Sequence, residues 1–538
     1  MEPTDWSQRL RKRTQRPPEP AGRADAAPAG RSDAAPGPAK RRRTSAERRR
    51  RDRHAQPQQQ VVVPSEPVVT PHINALPEEV LLYLLSHLNV PERVRVRAVC
   101  RRWRELCQLS LRSVRHINLN RYFGPLNVQC RPALTDQRFK LVLQLLPNLQ
   151  KLELGPAGAR LSRNGILSIG KLCPRLIDLD ISCLRMSFRF LENLCRNCPR
   201  LQRINVPQFN FKEQNLEVLL KYLGELRTLE LVSTGVTGDC FSLLPASVRK
   251  VTLRSCPRIR EHNFCLVGDR CPQLEELCLS KTRVTSHDIK HIATRCPQLR
   301  HLDITGCNLV HPEEFLELLP NLTSLSAGAC ANVNKNSLRA LATFCTKLER
   351  LNLRGGASYR SVPSYGLQLL HRLPQLHWLD LSYQSEVSDE VLRSLARAPR
   401  LATVLLRENY SSYSARSPFT EKGLIELAVS CRSLTSLDVS HVQGVTRHLY
   451  DSLVSAMPAT RRLSLVVGNT DLEGLVGTDQ AAAGTVVLCQ GSPAALDYPH
   501  VMRDDPWSDD SESEGPDEER FADVFIDWLW LNNALWAV

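Results

Sequence analysis

The chain has 538 residues, a formal net charge of +15 and 42% hydrophobic residues, enough apolar material to fold most of a length that implies more than one structural unit. No stretch approaches about 18 uninterrupted apolar residues, and the opening MEPTDWSQRLRKRTQR has no apolar export core, so neither a membrane span nor a secretion signal is expected and the protein is read as soluble and intracellular. Eighteen cysteines fit a reducing compartment, where they persist as thiols. Residues 1–70 are rich in Pro, Ala and Arg and cannot bury enough apolar surface to fold, so a disordered basic tail is predicted. Within it, Lys40–Arg43 and Arg48–Arg51 form two basic clusters of the kind read as a nuclear import signal, and a nuclear or cytoplasmic location is expected. No aromatic residues interleave these arginines for base stacking, which argues against direct nucleic-acid binding.

Residues 71–113 form the next unit. Pro77 suits the first turn of a helix, and Glu78 and Glu79 complement the positive end of its dipole. Val80, Leu81, Leu84, Leu85 and Leu88 recur at spacings of three and four, giving an apolar stripe. Pro91 ends that helix or opens another, and Val94, Val96, Val99, Trp103 and Leu106 continue the pattern among five arginines. Helices this short cannot bury so much apolar surface on themselves, and the surplus calls for a partner or for packing on the neighbouring unit.

Three stretches, Leu76-Pro77-Glu78-Glu79, Ser86-His87-Leu88 and Val99-Cys100-Arg101-Arg102-Trp103-Arg104, resemble in order and spacing the motifs of an F-box. The resemblance implies binding to the Skp-type adaptor of a cullin-based ubiquitin ligase, and through it to the cullin and RING subunits. Leu76, Pro77, Leu81, Leu84 and Leu88 are the residues expected to make the contacts or to support them directly. One position departs from the family pattern. Arg93 stands where the second helix usually carries a leucine, so looser packing is expected there.

From 114 to 470 the sequence repeats at intervals of about 25 residues, as in CPRLIDLDI, CPQLEELCL, CTKLERLNL and CRSLTSLDV, the signature of leucine-rich repeats. Each L-x-x-L-x-L core predicts a short strand with inward leucines, and each following apolar stretch, such as SLRALATFC, predicts an outer helix. The fold class is therefore α/β: a short helical F-box followed by a solenoid with a parallel sheet on its concave face and helices on its convex face. Cys173, Cys198, Cys271 and Cys296, each followed by proline, resemble the cysteine-containing repeats found with F-boxes. Cys195 and Cys198 make a C-x-x-C without a second pair at zinc spacing and are read as structural, and no nucleotide-binding, nucleophile-elbow or zinc-protease motif is present. No catalytic residue, metal or cofactor is expected.

Residues between the inward leucines face the concave surface, so the register names candidate recognition residues. Arg350, Arg354, Trp378 and Arg407 stand out, because exposed tryptophan and arginine are the side chains most often found as binding hot spots. Two long insertions, 355–366 and 408–423, carry Tyr359, Tyr365, Tyr410, Tyr413 and Phe419 and are placed on the rim beside these residues, with Tyr410 and Tyr413 as further candidates for contact. Residues 1–70 carry a net charge of +8 and residues 497–538 one of −10, leaving +17 on the body between them, a charge that suits an acidic or phosphorylated target.

Residues 471–496 are read as the end of the repeats. The final segment, 497–538, places Ser508, Ser511 and Ser513 among acidic residues ahead of the aromatic run FADVFIDWLWLNNALWAV, which is read either as a folded-back cap or as a partner-binding switch. The whole predicts a non-catalytic substrate-recognition subunit of a ubiquitin ligase, with a non-degradative scaffold or sequestering protein for a nuclear partner as the alternative.

Overall fold

The period of the leucines sets the architecture. In a strand, alternate side chains point to opposite faces, so Leu351 and Leu353 turn inward while Arg350 and Asn352 face the concave side. The computed structural model describes residues 73–122, 134–182, 184, 188–206, 211–355, 362–407, 417–458, 460–476 and 486–489. Among these, fifteen strands from β1 (His116–Asn118) to β15 (Val486–Cys489) form one parallel sheet in unbroken sequence order. Their register is constant, with Leu152, Leu179, Ile204 and Leu229 paired in succession and each buried. The sheet continues past residue 470 into the segment read from the sequence as the end of the repeats. There Val486 and Leu488 repeat the inward apolar pattern and join the same core.

Ahead of the sheet lie three helices: α1 (Glu78–Ser86), α2 (Val90–Val96) and α3 (Arg101–Arg112). Among the described residues eleven further α-helices, from α4 (Asp136–Leu145) to α14 (Arg447–Ala456), lie between successive strands of the sheet. Several repeats replace the outer helix with a tighter 3-10 turn, as at Asp239–Leu243 and Leu316–Leu318. The cysteines that close the outer helices are buried, and burial holds the thiols of Cys173 and Cys345 up at about 12. Such thiols are neutral, and the Cys296 thiol donates to the carbonyl of Cys271 at 3.3 Å. Cys195 and Cys198 are likewise buried and unbridged.

A second ladder joins the outer elements. An acidic residue in the first turn of one helix accepts hydrogen bonds from the start of the next. Asp136 accepts from the Ser162 N–H at 2.8 Å, Asp389 from the N–H and hydroxyl of Thr420 at 2.8 Å each, and Glu421 from the Thr446 N–H at 2.7 Å. The carboxylate completes the exposed donors of its neighbour's helix and complements that helix's dipole. After Asp136 and Asp389 the third residue of the following helix is glycine, whereas Leu449 holds that place after Glu421. At Gly165 and Gly423 a Cβ would overlap the carboxylates of Asp136 and Asp389, respectively. Glu213, in the first turn of α7 (Glu213–Tyr222), accepts three backbone N–H groups, from Thr237 at 2.7 Å, Gly238 at 3.1 Å and Cys240 at 2.7 Å.

Two expectations follow. Gly423→Ala, a change that adds about 1 kcal/mol of stability in an ordinary helix interior, will instead lower the thermal midpoint, because it displaces Asp389; a raised midpoint would show that the contact supports nothing. Burial opposes ionisation of Glu213, yet the hydrogen bonds from Cys240, Thr237 and Gly238 outweigh it and hold its pKa below the ordinary value. Its contribution is thus present above the usual glutamate pKa and lost as pH falls through the lower folded value. Glu213→Ala should cost about 2–3 kcal/mol in urea unfolding at neutral pH, with the gap from wild type closing in acid.

Candidate functional site

Helix α1 has two apolar faces. Leu81 and Leu85 are buried against Leu106 and Cys107 of α3, with Leu76, Leu82, Leu88, Val96 and Trp103 around them. Leu81, named from the sequence as a contact or support, is 1% exposed and serves as a support from within. The opposite face remains open to solvent, with Val80 at 40%, Tyr83 at 65% and Leu84 at 43% exposure, and Tyr83 stacked edge-on against His87 at 4.7 Å. Pro77 is exposed beside this stripe, and Leu76 and Leu88 are half-buried at its margins. Val80 and Tyr83 were not among the candidates, although Val80 and Leu84 share a face at a spacing of four.

The order of short motifs in the sequence has a mechanical basis. Arg102 donates to the carbonyls of Asn74 and Leu76, the latter at 2.9 Å, and the Trp103 indole N–H donates to Asn74 Oδ1 at 2.6 Å. The last motif thereby holds the first in place. Asn89 and Glu92 close a capping box at the start of α2. Arg93 does not loosen the packing, as its departure from the family pattern suggested. Its guanidinium donates to the carbonyls of Leu88 at 2.8 Å, Ser86 at 2.8 Å and Ser110 at 3.1 Å, tying the end of α1 to α3, and burial pushes its pKa down. Val90 and Val94 face away from α1 and join the core of the first repeats together with Leu111 and Ile117.

The concave surface changes character along the sheet. Over the early strands, cations and carboxylates neutralise one another: Glu153 lies 2.7 Å from Lys151, Arg203 lies 2.6 Å from Glu230, and Lys250 lies 2.9 Å from Glu276. On β10 (Arg350–Asn352) and β11 (Trp378–Asp380) the concave row also brings arginines over aromatic rings. Arg350 lies 5.1 Å over the Trp378 ring and Arg354 lies 4.5 Å over the Tyr383 ring. Arg407, which follows β12 (Thr403–Leu405), is paired with Asp438 of β13 (Ser436–Asp438) at 2.7 Å. Beneath these cations runs a buried row that includes Asp303, Asp380 and Asp438. Each carboxylate accepts the backbone N–H two residues on, from Thr305 at 2.9 Å, Ser382 at 2.9 Å and Ser440 at 3.0 Å. Burial pushes the carboxyls of Asp303 and Asp380 up; the hydrogen bonds from Thr305 and Ser382 and the nearby arginines oppose it.

Arg350, Arg354, Trp378 and Arg407 therefore gather on neighbouring strands, but Trp378 is covered there, and two aromatics of the insertions lie elsewhere than on an open rim loop. Trp378 is 3% exposed, because Arg350 covers it and Leu405 of the next strand packs beside it. Phe419 is buried in the core, not displayed on a loop. Tyr365 belongs to a short helical turn, Ser364–Leu367, where Lys335 of the preceding outer helix caps its ring at 4.9 Å. Tyr359, Tyr410 and Tyr413 fall outside the described residues, as do the basic clusters near residues 40–51 and the acidic aromatic C-terminal segment. Tyr383 was missed as a recognition candidate. Its backbone adopts a left-handed conformation, φ 61°, which bulky side chains rarely take. Among the described residues no group of three His, Cys, Asp or Glu side chains could hold a metal ion, and no helix is long and apolar enough to cross a membrane.

A three-helix unit with an open apolar face, continuous with a leucine-rich-repeat sheet, defines the class. Residues 73–116 match the model of the F-box-like family. The chain is 27% identical over 293 residues to F-box/LRR-repeat protein 4 of Bos taurus, a match spanning 52% of this chain and 46% of that protein. It is 23% identical over 448 residues to EEED8.10 of Caenorhabditis elegans, whose name assigns it provisionally to RNA binding; that match spans 79% of this chain and 57% of the relative. The chain thus spans about half the length of the curated relatives it matches. Among solved structures, that of the yeast Rad7 and Elc1 complex superposes with a TM-score of 0.43 at 17% identity, covering 78% of this chain and 92% of the other. The F-box-like domain at 73–116 and the similarity to F-box/LRR-repeat protein 4 together support an F-box/leucine-rich-repeat protein.

The carbonyl clamp can be tested directly. Arg93→Leu, the change toward the usual family residue, leaves three carbonyls without their donor and should destabilise the helical unit by about 2–3 kcal/mol. Hydrogen exchange should quicken in α1 and α3 while the late repeats keep their protection; unchanged exchange in α1 would show the clamp to be dispensable.

Proposed function

We propose that this chain is the target-recognition subunit of a cullin-based ubiquitin ligase. The outer face of α1 docks a Skp-type adaptor, which brings the cullin and RING subunits, and the repeats hold a protein target while another subunit performs the transfer. The observation that carries this reading is the apolar stripe of Val80, Tyr83 and Leu84, left open on a unit whose inner face is already filled by Leu81 and Leu85. Apolar side chains aligned on one helical face in water mark a docking surface for an apolar partner. The F-box-like match supports the identity of that partner, and the gathered arginines of the late strands support a recognition role for the concave face. In this reading the chain contributes no catalytic group.

Affinity purification of the tagged full-length chain from cells, with quantitation of adaptor and cullin, tests the proposal. Val80→Asp/Leu84→Asp replaces exposed residues, so the fold should persist while recovery of both partners falls by about 100-fold or more, as expected for charges placed in an apolar contact. Wild-type protein that recovers neither partner would defeat the ligase reading and favour a scaffold without degradation.

A further inference from the structure

We propose that residues 504–519 of this chain dock on the leading edge of strands β11–β14, the side from which the chain enters each strand, and shield that edge from acidic partners until displaced. The inference is independent of the ligase reading and of adaptor binding.

The edge is built from turns. Backbone hydrogen bonds join His377, Ala402 and Thr435 in succession just ahead of the strands, and beside them opens a groove of about 460 Å³ with Gln375, Arg400 and Ser433 in its walls. Five exposed arginines surround it. Arg372 closes the 3-10 turn Gln368–Arg372, Arg397 follows α12 (Asp389–Leu395), and Arg400, Arg432 and Arg462 lie in the turns that enter β12, β13 and β14 (Leu463–Val466). The ion pairs nearby use other residues, joining Arg393 to Glu426, Arg407 to Asp438 and Arg447 to Asp451. Arg400 donates to the neutral Gln375, and the carboxylate that lines the groove is that of Glu349. A helix dipole accounts for a cation in a last turn, such as Arg372. It does not account for Arg400 and Arg462, five and six residues past the ends of α12 and α14. Arg461 shows what a structural cation does at this edge. Its guanidinium donates to the carbonyls of Cys431 and Leu434, the latter at 3.0 Å, and burial lowers its pKa, whereas the five exposed arginines face water.

Charge and reach select the occupant. Residues 504–519, DDPWSDDSESEGPDEE, hold nine acidic residues and no Lys or Arg. Extended at about 3.3 Å per residue, they present one carboxylate about every 6 Å, close to the spacing of about 4.8 Å between turns, so successive acids meet the arginines of successive turns. Fourteen residues, 490–503, separate this stretch from the end of β15 and can extend over about 46 Å. The path back along β15 and across three strand spacings to β12 is about 28 Å, well within that reach. Single surface ion pairs are weak, but a tethered segment meets its site at an effective concentration of order 1 mM, at which several weak pairs act together. An acidic peptide from outside lacks that advantage, which makes the chain's own segment the resting occupant.

A photoreactive benzoylphenylalanine placed at Thr435, which is exposed at this edge, tests the contact in the full-length chain. Irradiation should join it to residues 504–519 of the same chain. The yield should fall about tenfold when the nine acids are changed to their amides, and equally in Arg400→Gln/Arg432→Gln/Arg462→Gln. The same group at Gln150, exposed ahead of β2 (Lys151–Glu153), should capture nothing from the segment. A fluorescent decaglutamate peptide reports the shielding. It should bind the amide variant about tenfold more tightly than wild type, the ratio set by an effective concentration of order 1 mM against a segment affinity of about 0.1 mM, and lose that gain when the three arginines are also changed. The amide variant alters no described residue, so both readouts survive if circular dichroism shows the arginine variant to be misfolded. Equal decaglutamate binding by wild type and amide variant, or capture at Gln150 as strong as at Thr435, would overturn the proposal. Crosslinks that join labelled to unlabelled chains in a mixture would also overturn it, by assigning the edge to a second copy.

Discussion

No turn of this solenoid can bury its own leucines. Each strand supplies inward side chains such as Leu277, Leu302 and Leu325, and each is covered only when the next turn closes over it. The stability of every repeat is therefore borrowed from its neighbours, and what matters most is how accurately successive turns are held in register. The sheet provides one set of hydrogen bonds for this purpose. The acidic residues at the helix starts provide another on the outer side, with Asp136, Asp389 and Glu421 each reaching across to the next helix. Where both ladders are present they constrain a turn at both ends of its cross-section, and there a helix as short as the seven residues of Asp389–Leu395 suffices.

The same dependence reaches the F-box-like unit. It has a small core of its own around Leu81, Leu85, Leu106 and Cys107, too small for independence, and α2 turns Val90 and Val94 into the core of the repeats. Of its apolar surface, one part is thus spent on α3, a second on the first repeat, and a third is left on the outside of α1. The arginines between these surfaces are largely structural. Arg93 and Arg102 satisfy carbonyls that three short helices cannot satisfy alone.

Much of this was legible in the sequence, for identifiable reasons. The leucine period fixed the strands, their register and the concave rows, because side-chain alternation in a strand admits no slippage once one face is buried. The F-box motifs were legible as spacing, although the contact that explains the spacing, Trp103 to Asn74, joins residues far apart in the chain. Position on a face was readable, whereas accessibility was not. Trp378 sits on the concave face as its register required, but whether it is bare depends on the reach of Arg350 and on Leu405 from adjacent turns. Phe419 shows the same limit on the outer side: within a polar stretch it looked displayed, and only the three-dimensional neighbourhood revealed a core residue. For Arg93 a family pattern suggested a defect where three carbonyls had in fact been waiting for a donor.

The unbroken strand order also makes the sheet a ruler. Nine strand spacings separate β1 from β10, and at about 4.8 Å each they set the arginine-bearing strands roughly 43 Å around the sheet from the strand that follows the helical unit. Because each strand is hydrogen-bonded to the next without a break, that length cannot telescope. Gain or loss of a single repeat would shift whatever the late strands hold by one rung relative to the α1 face, altering reach in steps of about 5 Å while leaving the chemistry at both ends untouched.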